Sequence, residues 1–96
     1  EMMDALAARA ADAFVGAGYP PDAGAILLIE LDGPLAECAI AVDRVSAIAR
    51  EVGATSERVA ADATDQAALW AGRKAAFPAV GRIAPDYYCM DGTIPR

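Results

Sequence analysis

About a quarter of this chain is alanine, and that limits the core it can build. An alanine side chain removes little area from water, so 56% apolar residues over 96 positions promise a thinner core than the figure suggests. A chain of this length makes one small domain at most and buries only about 60–65% of its unfolded surface. The formal net charge is −6, from 8 basic and 14 acidic residues, and there is no histidine. This balance argues against a nucleic-acid partner, which wants a basic face, and against docking on anionic lipid. Without histidine, the commonest general base and the commonest metal ligand are missing. No apolar run reaches the ~18 residues of a membrane span, and no charged segment precedes an apolar one as in a signal peptide. Cys38 and Cys89 are too few for a disulfide framework and wrongly spaced for zinc, and they read as reduced thiols in a cytosolic protein. Starting at Glu1 without a methionine and stopping at Arg96 directly after Pro95, the chain is expected to be a piece of something larger.

Residues 1–17 are rich in helix formers, and Met3, Leu6, Ala7, Ala10, Phe14 and Ala17 recur at helical spacing. Gly16 and Gly18 end that helix, and Tyr19-Pro20-Pro21-Asp22 keeps the chain out of helix. Ala25 to Leu31 then reads as a central strand, leaving through the Asp32-Gly33 turn. From Pro34 a second helix shows a regular stripe of Leu35, Cys38, Ala39, Val42, Val45, Ile48, Ala49 and Val52, capped by Gly53. Thr55 to Ala61 reads as a second strand, nearer an edge. Asp62 or Thr64 caps a third helix that runs to about Phe77 and is stopped by Pro78. Tyr87 to Met90 is strand-like, and Asp91-Gly92-Thr93 turns away from it. This order predicts an α+β two-layer sandwich of ferredoxin-like type. The alternative is a parallel doubly wound sheet, disfavoured because no glycine-rich phosphate loop follows any strand.

The third helix holds a local contradiction. On a wheel of about 100° per residue, Arg73 falls inside the apolar sector, between the aromatics Trp70 and Phe77 and Leu69, with Lys74 flanking. A guanidinium among apolar groups is costly unless an anion meets it, and its planar fork suits a carboxylate. Arg73 is therefore a candidate for binding the carboxylate of a small acid. From the pattern alone, a snorkelling side chain or an internal pair with one of the 14 acidic residues is the favoured reading. Tyr87 and Tyr88 could stack on a ligand, and Glu30 with Asp32 could hold a cation, but packing and solvation are simpler readings of both. Met2, Met3 and Met90 are gap fillers, and Cys38 a small core residue. Cys89 has no histidine to activate it. No catalytic residue and no metal site is read from the chain, which as an isolated unit looks catalytically incomplete.

The segment Leu69-Trp70-Ala71-Gly72-Arg73-Lys74-Ala75-Ala76-Phe77-Pro78-Ala79-Val80-Gly81-Arg82, continued by Pro85 to Arg96, resembles the FAD-linked oxidases. These flavoproteins include glycolate oxidase and the D-lactate and D-2-hydroxyglutarate dehydrogenases, and the glycolate oxidase branch is the most similar. Glu1 to Asp4 and Asp22 to Gly33 also resemble the family in the right order, with Trp70-x-x-Arg73 and Asp91-x-x-x-Pro95 the most specific marks. The resemblance implies that residues 1–96 form a single partial domain, a piece of the C-terminal substrate or cap domain, with the FAD-binding domain absent. It implies oxidation of a 2-hydroxy acid with hydride transfer to FAD in the full-length protein, and no FAD in this piece. The family arginine that grips the substrate carboxylate falls on Arg73, while its histidine-rich metal and base cluster lies beyond Arg96. Phe77 and Cys89 stand where relatives acting on dicarboxylates have a threonine and a lysine, which favours glycolate or D-lactate. The implied partners are the protein's own FAD-binding domain and further subunits, an iron–sulfur subunit among them. The implied location is cytoplasmic, with peripheral membrane association through those subunits. Removal of the FAD domain would expose apolar surface through which the piece could self-associate. A non-catalytic α+β module for regulation or oligomerisation would use the same architecture.

Overall fold

The computed structural model describes residues 1–88, 90 and 92–94. Its elements are β1 (Met2–Asp4), α1 (Ala5–Val15), β2 (Ala25–Leu27), α2 (Leu35–Glu51) and α3 (Ala63–Val80). The first helix is shorter than its periodicity predicts, because Asp4 caps it. The Asp4 backbone is extended, and its carboxylate accepts the Ala7 N–H at 2.8 Å. That cap releases Met2 and Met3 to form β1, which pairs antiparallel with β2 in the register Met3 opposite Ile26. At the other end Gly16 adopts a left-handed conformation, φ 66°, and its N–H closes on the Asp12 carbonyl at 2.7 Å.

The expected strand over 55–61 is not formed. Its polar residues bond locally instead: Ser46 donates to the Glu57 carboxylate, and Arg58 pairs with Asp65 and donates to the Ala17 carbonyl at 3.1 Å. The Ala61 N–H reaches the Asp65 carboxylate at 3.1 Å. Asp62 caps α3 as expected, accepting the Asp65 N–H at 2.9 Å. Pro78 does not stop α3, which continues to Val80. A proline so near a helix end removes one N–H that would have bonded four residues back, and the last turn survives that loss. Tyr87 and Tyr88 are not in a strand, while Cys89, Asp91, Pro95 and Arg96 lie outside the described residues. The described residues thus form a small α+β unit of three helices and a two-stranded sheet, without the larger sheet of a ferredoxin-like sandwich.

The core lies where α1 packs on α3 and on the sheet. Its buried residues are small: Ala8, Ala11 and Ala17, joined by Met3 and Tyr19, with Ala75 and Ala79 buried on α3. Of the stripe expected for α1, Met3 and Ala17 are buried and Ala7 packs on the core, but Leu6 is 53% and Phe14 37% exposed, and within the helix the buried residues are Ala8 and Ala11. Small side chains let two helices approach until backbone and Cβ atoms touch, which leaves the larger residues on the flanks. The second helix makes no substantial contact with another element. Its apolar stripe is only partly covered: Cys38, Val42, Val45 and Ala49 are half-buried, whereas Leu35 is 87% and Val52 78% exposed.

Candidate functional site

α3 presents three faces. Gly72, Ala75 and Ala79 are buried, and Leu69 and Ala76 pack against the core. Trp70 is half-buried and Phe77 largely exposed, both turned away from that face. The expectation that the aromatics centre the apolar sector is therefore corrected. A wheel weights residues by hydrophobicity, whereas this contact selects them by size. Arg73 stands on the shoulder between the buried face and the aromatic flank, its side chain 27% exposed. There its Nε donates to the carboxylate of Glu1, at the start of β1. The internal acidic pair weighed from sequence is the arrangement observed. Because the pair is open to water and its Glu1 side chain is about half exposed, it contributes roughly 0–1 kcal/mol to the fold.

Below Arg73 lies Tyr19, 6% exposed. Its hydroxyl donates to the Leu69 carbonyl at 2.5 Å, and the backbone N–H of Arg73 faces the same phenol oxygen. Burial pushes the Tyr19 hydroxyl above its usual pKa, with Asp12 adding to the effect and the Arg73 N–H and Arg58 opposing it. The phenol end of the ring meets α3 where residue 72 has no side chain. A Cβ there would come within 2.5 Å of the ring's Cε2 and Cζ. The loop delivering Tyr19 is held by Asp12, whose carboxylate accepts the N–H groups of Gly18 at 2.7 Å and Tyr19 at 3.0 Å. The sequence reading took Tyr19 only as part of a helix-breaking turn. The signal that could have found this contact is the lone glycine inside α3, a position where a close approach is to be suspected.

The other sequence candidates do not converge on Arg73. Glu30 accepts from Gln66 Nε2 at 3.2 Å, two turns before Arg73 on α3, and Asp32 is exposed. Among the described residues no group of three acidic or sulfur ligands could hold a metal. Cys38 is a free thiol whose Sγ lies 3.6 Å from the Gly33 carbonyl. Tyr87 and Tyr88 are exposed in irregular chain, and Cys89 lies outside the described residues.

Residues 1–96 match the family of FAD linked oxidases, C-terminal domain. The chain belongs to this family. It is 59% identical over all 96 residues to the glycolate oxidase subunit GlcD of Escherichia coli K12, of which it spans 19%. It is also 34% identical over 79 residues, 82% of the chain, to the glycolate oxidase subunit GlcD of Bacillus subtilis 168, spanning 17% of that protein. The chain thus covers about a fifth of the length of these relatives. No solved structure matches it.

The described part of this FAD-linked oxidase C-terminal domain does not itself fit FAD. A depression beside Ala8, Asp12, Tyr19 and Pro20 holds about 130 Å³, and a more open one beside Glu30, Gln66, Trp70 and Lys74 about 380 Å³. A dinucleotide pyrophosphate seeks a bare helix N-terminus behind a glycine-rich turn. Here α1 and α3 are capped by the carboxylates of Asp4 and Asp62, which repel phosphate, and α2 carries Glu37 in its first turn. What the domain does offer is a guanidinium on a braced helix, already facing a carboxylate.

Proposed function

We propose that this chain is part of the substrate, or cap, domain of a longer FAD-dependent 2-hydroxy-acid oxidase or dehydrogenase, with Arg73 binding the substrate carboxylate. The observation that supports this reading is the contact between Arg73 and the Glu1 carboxylate, made from a half-buried shoulder of α3. A site that meets one carboxylate with a guanidinium meets another of the same charge and shape. A small acid gains a charge-assisted contact there by displacing a side chain that is itself about half exposed and weakly held. The family match and the two relatives named as glycolate oxidase subunits support the flavoprotein context.

Oxidation of a 2-hydroxy acid to a 2-oxo acid removes a hydride and a proton, and the hydride acceptor is FAD held by residues outside this chain. The contribution of Arg73 is to fix the acid by its carboxylate, so that binding energy orients the hydroxyl-bearing carbon. Phe77, one turn further along α3, is apolar and cannot pair with a second carboxylate, which favours glycolate or D-lactate over a dicarboxylate. The relatives' description as glycolate oxidase subunits supports assembly with further subunits; an iron–sulfur subunit among them and a cytoplasmic location belong to the same proposal. No helix of the described residues is long and apolar enough to cross a membrane. The exposed part of the α2 stripe supports self-association of the chain when it is produced alone.

The test is a grafted holoenzyme, in which this chain replaces the segment it matches in the E. coli subunit. With a dye as electron acceptor, glycolate or D-lactate is expected to turn over and D-2-hydroxyglutarate to be a poor substrate. Full FAD occupancy with no turnover of any acid would overturn the reading.

A further inference from the structure

We propose that Tyr19 is a positioning residue for Arg73, setting the height and rotation of the α3 turn from which the guanidinium meets a carboxylate. The inference rests on the reading of Arg73 given above and extends it to a residue that touches neither acid nor flavin. In an α-helix the N–H of residue 73 bonds to the carbonyl of residue 69. The Tyr19 hydroxyl enters at that rung: it donates to the Leu69 carbonyl at 2.5 Å and lies against the Arg73 N–H. A carbonyl has two lone pairs, so the Leu69 oxygen can take the phenol as well as the helix's own N–H, and the added bond anchors this turn to Tyr19.

The contact is fixed at three points. The ring lies against Gly72, where a Cβ would come within 2.5 Å of two of its carbons, so the phenol and this turn of α3 can meet only at a glycine. The Tyr19 backbone is tied to the Asp12 carboxylate of α1 at 3.0 Å. Arg58 braces the preceding loop through the Ala17 carbonyl at 3.1 Å. Asp12 and Tyr19 thus join α1 to the one turn of α3 that carries the guanidinium, and a shift of that turn moves Arg73 directly.

The experiment is a double-mutant cycle in the grafted holoenzyme, with KM and kcat for glycolate measured in wild type, Tyr19→Phe, Arg73→Ala and the double variant. Tyr19→Phe keeps the ring over Gly72 and removes only the hydroxyl. It is expected to raise KM about three- to tenfold, with a smaller change in kcat. In the Arg73→Ala background the same change is expected to have almost no effect, because its route to the substrate is gone. An unchanged KM in Tyr19→Phe overturns the proposal, and so does an undiminished Tyr19 effect in the Arg73→Ala background, which marks a general structural role. Unchanged kinetics in Arg73→Ala alone overturns instead the carboxylate reading beneath it. If Tyr19→Phe fails to load flavin, Asp12→Ala, which releases the Tyr19 backbone, takes its place in the same cycle with the same expected pattern.

Discussion

The ring of Tyr19 fills the space that a side chain on residue 72 would need, and Gly72 leaves that space open. Each residue is therefore a condition for the other. Between them they decide how the loop after α1 meets α3, and so where β1, α1 and the Arg73 shoulder stand relative to one another.

Gly72→Ala is expected to destabilise the chain although alanine is the better helix former. The intrinsic gain is about 1 kcal/mol, whereas forcing a methyl into a filled contact costs about 1–3 kcal/mol. Urea unfolding of Gly72→Ala, Tyr19→Ala and the double variant measures it. The double variant should be less destabilised than the sum of the two single changes, since the clash is absent once the ring is gone. A stabilising Gly72→Ala would mean that the ring is not held there.

Tyr19 also ties the fold to alkaline pH. Burial raises its folded pKa above the ordinary value of 10.0, so above that pH the unfolded chain loses the proton before the folded one does. The native state then binds more protons, and stability falls as pH rises. This contribution is fully present below pH 10.0 and is lost as pH climbs through the folded value. Unfolding midpoints from pH 8 to 11 should drop less steeply in Tyr19→Phe than in wild type.

Asp65 behaves in the opposite sense. The Arg58 guanidinium first, and the Ala61 N–H second, hold its carboxyl below the ordinary value of 3.8. Its contribution is present above that value and is lost as pH falls through the folded one, because the unfolded chain takes up the proton first. Asp65→Asn should flatten the acid limb of the stability curve by lowering neutral stability slightly towards its acid value, the change being small because the pair is screened by solvent. An identical acid limb in the two proteins would remove Asp65 as a contributor.

The apolar stripe of α2 predicts association. Sedimentation velocity of the isolated chain should show a concentration-dependent shift, and Leu35→Lys with Val52→Lys should abolish it. Both positions are mostly in solvent, at 87% and 78%, so the substitutions should change folding stability by no more than about 0.5 kcal/mol each. A monomer at every concentration would contradict this.

What the sequence made legible was mostly local. Asp62 announces the start of α3 and Gly16 the end of α1, because a cap is a property of a few adjacent residues. The α2 helix was legible for the same reason, though its stripe implied a cover that the described residues supply only in part. The strand expected over 55–61 was not legible as loop, since Val59 and Thr55 favour a strand only where another strand lies alongside. The buried faces of α1 and α3 were misplaced because hydrophobic periodicity favours Leu6, Phe14 and Trp70, whereas close helix packing selected Ala8, Ala11, Gly72 and Ala75. Arg73 stands out from its turn of helix together with the Trp70-x-x-Arg73 resemblance. Its partner Glu1 lies 72 residues away, a pairing that only the fold creates.

The most direct test of the account is steady-state oxidation of glycolate by the grafted holoenzyme, wild type against Arg73→Ala, at matched FAD occupancy. Loss of the guanidinium is expected to lower kcat/KM by the equivalent of about 1.5–3 kcal/mol, the range for a hydrogen bond to a charged group. Equal kcat/KM in the two proteins would contradict it and leave Arg73 as no more than the partner of Glu1.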